Sequence, residues 1–162
     1  MTLQDVTSVF NIVAAIALVI SAVLVYFELR ENNRLARASN TQSLVRLSSP
    51  FISTIVQDRK MAEFYVDGAQ AFDKMDPVDQ YRYRSLVTWW LIFHENAFYQ
   101  WRRGLLDDLS YKPWGVDLSV FIDQQNLACQ WGAIRPLFQD EFTEHVDGQI
   151  ADVSIALILI FA

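Results

Sequence analysis

The sequence predicts an all-α protein: an N-terminal transmembrane helix continuing into a stalk, followed by a small helical-bundle domain. Three observations predict it. Residues 9–27, VFNIVAAIALVISAVLVYF, carry no charge, and only Asn11 and Ser21 interrupt their apolar character. No proline or glycine occurs from Thr2 to Ser49. No stretch alternates apolar and polar residues as a half-buried strand would, and no hairpin turn signal is present.

Nineteen residues at about 1.5 Å each cover roughly 28 Å, close to the ~30 Å hydrocarbon core of a bilayer. A secretory signal would place Lys or Arg before the apolar run and a cleavage site after it. Here MTLQDVTS has no basic residue and contains Asp5, and YFELRENN follows. The segment therefore reads as an uncleaved anchor. Arg30, Arg34 and Arg37 follow it closely, so the rule that basic loops stay inside predicts an outer N-terminus and a cytoplasmic domain. The chain is predicted to cross a membrane once. The domain division is 1–28 anchor, 29–49 helical stalk, 50–153 cytoplasmic helical domain and 154–162 apolar tail.

The first helix is expected to reach about Leu47, with a break near residues 39–41. Pro50 or the serines before it should end the helix. Residues 51–56 and 61–71 read as short helices joined at 57–60, and 72–75 as a loop. Asp76-Pro77-Val78-Asp79 is the clearest start signal: a side-chain acceptor, a proline suited to the first turn, and an acid near the positive helix end. This helix should run to about Arg103 and stop at Gly104. Its expected inward face is Tyr83, Leu86, Val87, Trp90, Phe93, Ala97 and Trp101 or Gln100, while Trp89, Leu91, Ile92 and Tyr99 point elsewhere. A helix apolar on several faces is central or covered by a partner. Residues 105–112 read as a loop or short turn, 114–125 and 127–134 as helices, the second ended by Pro136, and 140–150 as the last amphipathic helix. The tail SIALILIFA is too short to span a bilayer. It either packs into the domain's own core or inserts between partner subunits or at the membrane edge.

The net charge of -6 is unevenly spread. Basic residues cluster after the apolar run, and beyond Gly104 only Lys112 and Arg135 are basic. An acidic domain argues against nucleic acid as a partner. Arg30, Arg34 and Arg37 suit anionic lipid headgroups. The single cysteine, Cys129, cannot form an internal disulfide.

No site for chemistry emerges. There is no Gly-rich phosphate loop and no Gly-x-Ser-x-Gly elbow. Glu141 and His145 share a helix face, but the paired Glu-x-x-His pattern of di-iron bundles is missing. Glu95, beside His94 and among aromatic residues, is a candidate acid or base. The favoured reading is a buried polar residue held by an arginine to fix helix registry. The chain is read as not an enzyme. No cofactor is expected, with lipid or pigment contact at the tryptophans left open.

The segments VYFELRENNRLARA and HENAFYQWRRGLLDD carry a resemblance. Leu29, Arg30, Asn32 and Arg34, then Glu95, Asn96, Tyr99 and Gln100, match an L-R-x-N-x-R stalk and an E-N-x-x-Y-Q helical segment. These residues resemble an uncharacterised family of small bacterial single-span membrane proteins, over most of the chain to about Val146. The resemblance implies the span and the helical domain, and it brings no activity with it.

Two functions from different classes follow as expectations. The first is a non-catalytic accessory subunit of a larger membrane complex, of respiratory or photosynthetic type. It would meet other subunits through Asn11, Ser21, Trp89, Ile92, Tyr99, Leu157, Ile160 and Phe161. The second is a membrane-tethered regulatory or sensory protein that self-associates through the stalk.

Overall fold

The computed structural model describes residues 3–161. The side chains of residue 3, residues 5–9 and residues 153–161 lie outside that description. Six α-helices follow in order: α1 (Leu3–Val56), α2 (Arg59–Ala71), α3 (Pro77–Arg102), α4 (Asp108–Gln124), α5 (Ala128–Ile134) and α6 (Asp140–Phe161). Short 3-10 turns lie at Phe72–Lys74 and Arg135–Leu137. No strand occurs among the described residues.

The chain divides into two compact units, Met1–Ser39 and Asn40–Ala162. The boundary falls inside the segment read as the stalk. In the first unit every side chain from Phe10 to Ser39 is exposed. That includes the whole apolar run after Val9, and α1 is the one helix among the described residues long and apolar enough to cross a membrane.

The second unit begins where α1 gains neighbours. Asn40 and Thr41 are half-covered, Leu44 is fully buried, and the Asn40 side-chain amide donates to the Leu105 carbonyl. The expected break near residues 39–41 does not occur.

Nor does Pro50 end the helix. It lies inside α1, which runs on to Val56, so residues 51–56 are not a separate helix. Pro50 has no N–H for the Arg46 carbonyl, and its ring crowds that carbonyl. What carries the helix through is the next residue. The Phe51 ring stacks on Trp90 at 4.4 Å and meets Tyr65 and Trp89 edge-on. Burying such a ring contributes roughly 1.5–3 kcal/mol, enough to offset a proline defect of about 3 kcal/mol once the edge contacts are added.

The chain turns at Asp58, whose carboxylate caps α2 through the Lys60 N–H. Gly68 on α2 faces Tyr83 so closely that a Cβ there would clash with the ring. The 3-10 turn at Phe72–Lys74 replaces the expected loop. Asp76 then caps α3, accepting from the N–H groups of Val78 and Asp79, with Pro77 in the first turn. Gly104, at φ +71, takes the left-handed conformation that stops the chain after α3.

α3 is the centre of the domain and packs against α2 and α4, while α4 packs on α6. Its buried face holds the expected Tyr83, Leu86, Val87, Trp90, Phe93 and Ala97 together with His94, Phe98 and Leu91, the last fully buried rather than outward, while Gln100 and Trp101 are half-buried. α4 also begins earlier than expected. Asp107 caps it through the Ser110 N–H, and the helix passes through Pro113. The anchor for that first turn is aromatic. Trp101 and Tyr111 stack at 4.6 Å, nearly parallel, and the Trp101 Nε1 donates to Asp108. α6 does not stop near Ile150 but continues as helix to Phe161, so the tail is backbone-continuous with it.

Candidate interaction surface

The two sides of α3 have different characters. The inward side holds a small polar group within aromatic surroundings. His94 Nε2 lies 3.1 Å from Asp117 Oδ2, and the Trp90 indole N–H donates to the same oxygen at 3.2 Å. His94 is almost wholly buried, whereas Asp117 on α4 reaches solvent. Burial holds the His94 imidazole below its ordinary pKa, against the pull of Asp117. The ring is therefore a neutral hydrogen-bonding strut between α3 and α4. Nearby, Tyr83 donates to the buried Gln125 side chain at 2.7 Å, and burial raises the Tyr83 pKa.

Glu95 is half-buried, and its partner is not an arginine. Its carboxylate accepts the backbone N–H of Gln139, just before α6, at 2.9 Å. This corrects the expected arginine pairing. The reason is positional: α3 brings residue 95 against the start of α6, where backbone N–H groups are free and favour an acid. His145, the other histidine, stacks on Phe98 and bonds Gln149, and burial lowers its pKa. Among the described residues no group of three His, Cys, Asp or Glu side chains is placed to hold a metal.

The outward side of α3 is apolar and open. Tyr81, Arg84, Ser85, Thr88, Trp89 and Ile92 recur at three- and four-residue steps and form one ridge. Ala133 and Ile134 of α5 and Leu137 of the following turn form the other. Between them lies a groove of about 430 Å³. Tyr81 is 74% exposed, Leu137 67% and Ile92 53%, so these side chains stand in solvent. Trp89 is less open because its ring edge rests against Phe51. Arg84 lies over the Phe72 ring, and its Nε is buried with no acceptor among the described residues.

Trp89 and Ile92 share this groove. Tyr99 lies in a different, polar cleft with Arg102, Arg103, Gln139, Asp140 and Glu141. There the Arg103 guanidinium sits over its ring. Asn11 and Ser21 are exposed in the first unit, and the Ser21 hydroxyl bonds the Ala17 carbonyl of its own helix. Leu157, Ile160 and Phe161 have side chains outside the described ones. Arg30, Arg34 and Arg37 are exposed, with Arg34 paired to Glu31 at 2.7 Å.

The groove's other members, Tyr81, Arg84, Ser85 and Thr88 on α3 and Ala133, Ile134 and Leu137 opposite, escaped the sequence reading. Tyr81, Ser85, Thr88 and Ile92 do fall on one helical stripe, so the α3 ridge had a signal. The second ridge had none, because it depends on where α5 packs.

Comparison with known protein families, curated proteins and solved structures finds no match to this chain. The class defined by the chain itself is a helical domain joined to one helix long and apolar enough to cross a membrane.

Proposed function

We propose that this chain is a membrane-anchored, non-catalytic accessory subunit that holds other subunits of a larger membrane complex. The observation that supports this most is the open apolar groove on α3, where Tyr81, Trp89, Ile92 and Leu137 stand exposed together. Covering one such side chain is worth roughly 1.5–3 kcal/mol, so a partner seated there gains a strong anchor.

In this reading residues 9–27 cross the bacterial inner membrane with the N-terminus outside. Arg30, Arg34 and Arg37 then meet anionic headgroups on the cytoplasmic side. The resemblance to small bacterial single-span membrane proteins is consistent with that placement. A reporter fused after residue 153 tests it: cytoplasmic activity is expected, and periplasmic activity overturns the orientation.

The partner is tested by mild extraction of the tagged full chain and identification of what co-purifies. A defined set of membrane subunits is expected with the native chain, and loss of that set with Ile92→Glu. Native and variant chains that both purify alone would refute the reading.

A second reading has its own observation. Val45, Ile52 and Val56 are exposed on α1 at spacings of a coiled-coil seam. A regulatory protein self-associating through this face would give homodimer crosslinks from Val45→Cys in a Cys129→Ser background, with no other subunit present.

A further inference from the structure

We infer that the α3–α5 groove receives an amphipathic helix of a partner protein, seated by apolar anchors and by an acidic side chain that pairs with Arg84. This deepens the accessory-subunit reading and rests on it.

The groove has the form that recognises a helix. Its α3 ridge, from Tyr81 to Ile92, presents residues at three- and four-residue steps over about 16 Å, which matches roughly three turns of a bound helix. Apolar side chains flank it on both sides, so a helix lying along it would be gripped on two faces. Trp89 forms part of the wall and is braced from behind by Phe51. A braced aromatic at the middle of a groove loses little freedom on binding.

Charge then selects the occupant. The basic side chains adjacent in sequence to groove residues differ in their partners. Arg82 pairs with Asp79 at 2.9 Å, and Arg135 pairs with Asp147 at 2.9 Å. Arg84 lines the groove itself and has no ion pair among the described residues; only the Phe72 ring supports it. A guanidinium that lines an apolar groove without an ion pair favours a ligand that brings a carboxylate. A basic helix would place like charges together in a poorly solvated site.

The hydroxyl groups favour a peptide over a lipid chain. Tyr81 and Thr88 lie along the same ridge, whereas the Ser85 hydroxyl already donates to the Tyr81 carbonyl. A peptide helix carries polar side chains that can bond to such groups at intervals. An acyl chain carries none beyond its headgroup, and would leave them facing hydrocarbon.

The test uses the full chain in phosphatidylcholine nanodiscs and a labelled, end-capped synthetic peptide of about 14 residues. The peptide carries Leu at helix-spaced positions and one Glu in the apolar stripe; its twin carries Arg in place of Glu. Binding is read after subtraction of empty discs. The Glu peptide is expected to bind at least about tenfold more tightly than the Arg peptide. Arg84→Glu should reverse the preference, and Leu137→Glu, at an exposed position, should abolish binding of both. Circular dichroism of each variant checks that the fold is intact. Equal binding of the two peptides, or an unchanged preference in Arg84→Glu, overturns the inference. So does displacement of the Glu peptide by oleate, which would mark a lipid site. A dimer that dissociates with Leu137→Glu overturns it too, because a second copy would then be the occupant. Failure here alongside co-purification of partners with the native chain removes only this groove's role. Purification of the chain alone removes the accessory reading as well.

Discussion

His94 Nε2 and Asp117 Oδ2 meet at 3.1 Å across the α3–α4 packing, and the Trp90 indole N–H reaches the same oxygen. One partly exposed carboxylate thus serves two buried rings. Removing it by Asp117→Ala leaves two ring N–H groups without their acceptor. Buried donors stripped of a partner cost about 1–3 kcal/mol, and the exposure of Asp117 lets water recover some of that. The expected loss is about 1–2 kcal/mol in chemical denaturation. Asp117→Asn keeps an acceptor oxygen and should lose less. An Asn variant as unstable as the Ala variant would contradict the strut.

The same burial makes the domain sensitive to acid. His94 and His145 both have pKa values held below the ordinary 6.5 by burial. The unfolded chain then binds more protons than the folded one as pH falls below 6.5, so stability is full above that pH and declines below it. Asp147, held below its ordinary 3.8 by hydrogen bonds from Arg135 and Trp131, acts in the same direction only at lower pH. Melting temperatures between about pH 5 and pH 7.5 should fall toward acid, and His94→Phe should flatten the slope. The slope is the decisive reading, since the variant shifts overall stability for other reasons. An unchanged slope in both His94→Phe and His145→Gln would refute the assignment.

Much of the fold was legible because its signals were local. The Asp76-Pro77 start, the Gly104 stop and the buried face from Tyr83 to Ala97 all follow from helix geometry within one segment. Pro50 misled for the opposite reason. It carries a local instruction to stop, and it is overruled by aromatic packing from a distant part of the chain, Trp90 against Phe51. The polar pairings were hidden in the same way. Nothing in the sequence joins Glu95 to Gln139, or His94 to Asp117, until α4 and α6 are placed against α3.

The glycines of α2 and α6 should respond in opposite directions to the same change. Gly68 leaves no room for a Cβ against Tyr83, so Gly68→Ala forces the ring or the helix to move and should cost about 1–3 kcal/mol. Gly148 lies inside α6 with open space where a Cβ would go. Gly148→Ala should therefore gain about 0.5–1 kcal/mol through helix propensity. Thermal melts of the two variants check both. Stabilisation by Gly68→Ala would mean that α2 does not lie on Tyr83 as described.

Pro50 supplies the sharpest test of whether aromatic packing carries α1 into the domain. The proline withholds an N–H from the Arg46 carbonyl in a helix that continues past it. Its neighbours make local bonds of their own: the Ser49 hydroxyl donates to Val45, and Thr54 donates to the Pro50 carbonyl. Pro50→Ala restores the missing bond and removes the ring clash, for a gain of up to about 3 kcal/mol. The unfolded chain becomes freer by about 0.4–1 kcal/mol, which reduces the gain. A net stabilisation of about 2 kcal/mol is expected from these opposing contributions. Phe51→Ala should have the reverse effect, because it removes the stack on Trp90 and leaves the proline defect uncompensated. In the double variant the penalty of Phe51→Ala should be smaller than in the Pro50 background, since the helix no longer needs the ring to cross residue 50. Equal penalties in the two backgrounds, measured by a double-mutant cycle, would show that the helix and the aromatic stack are independent.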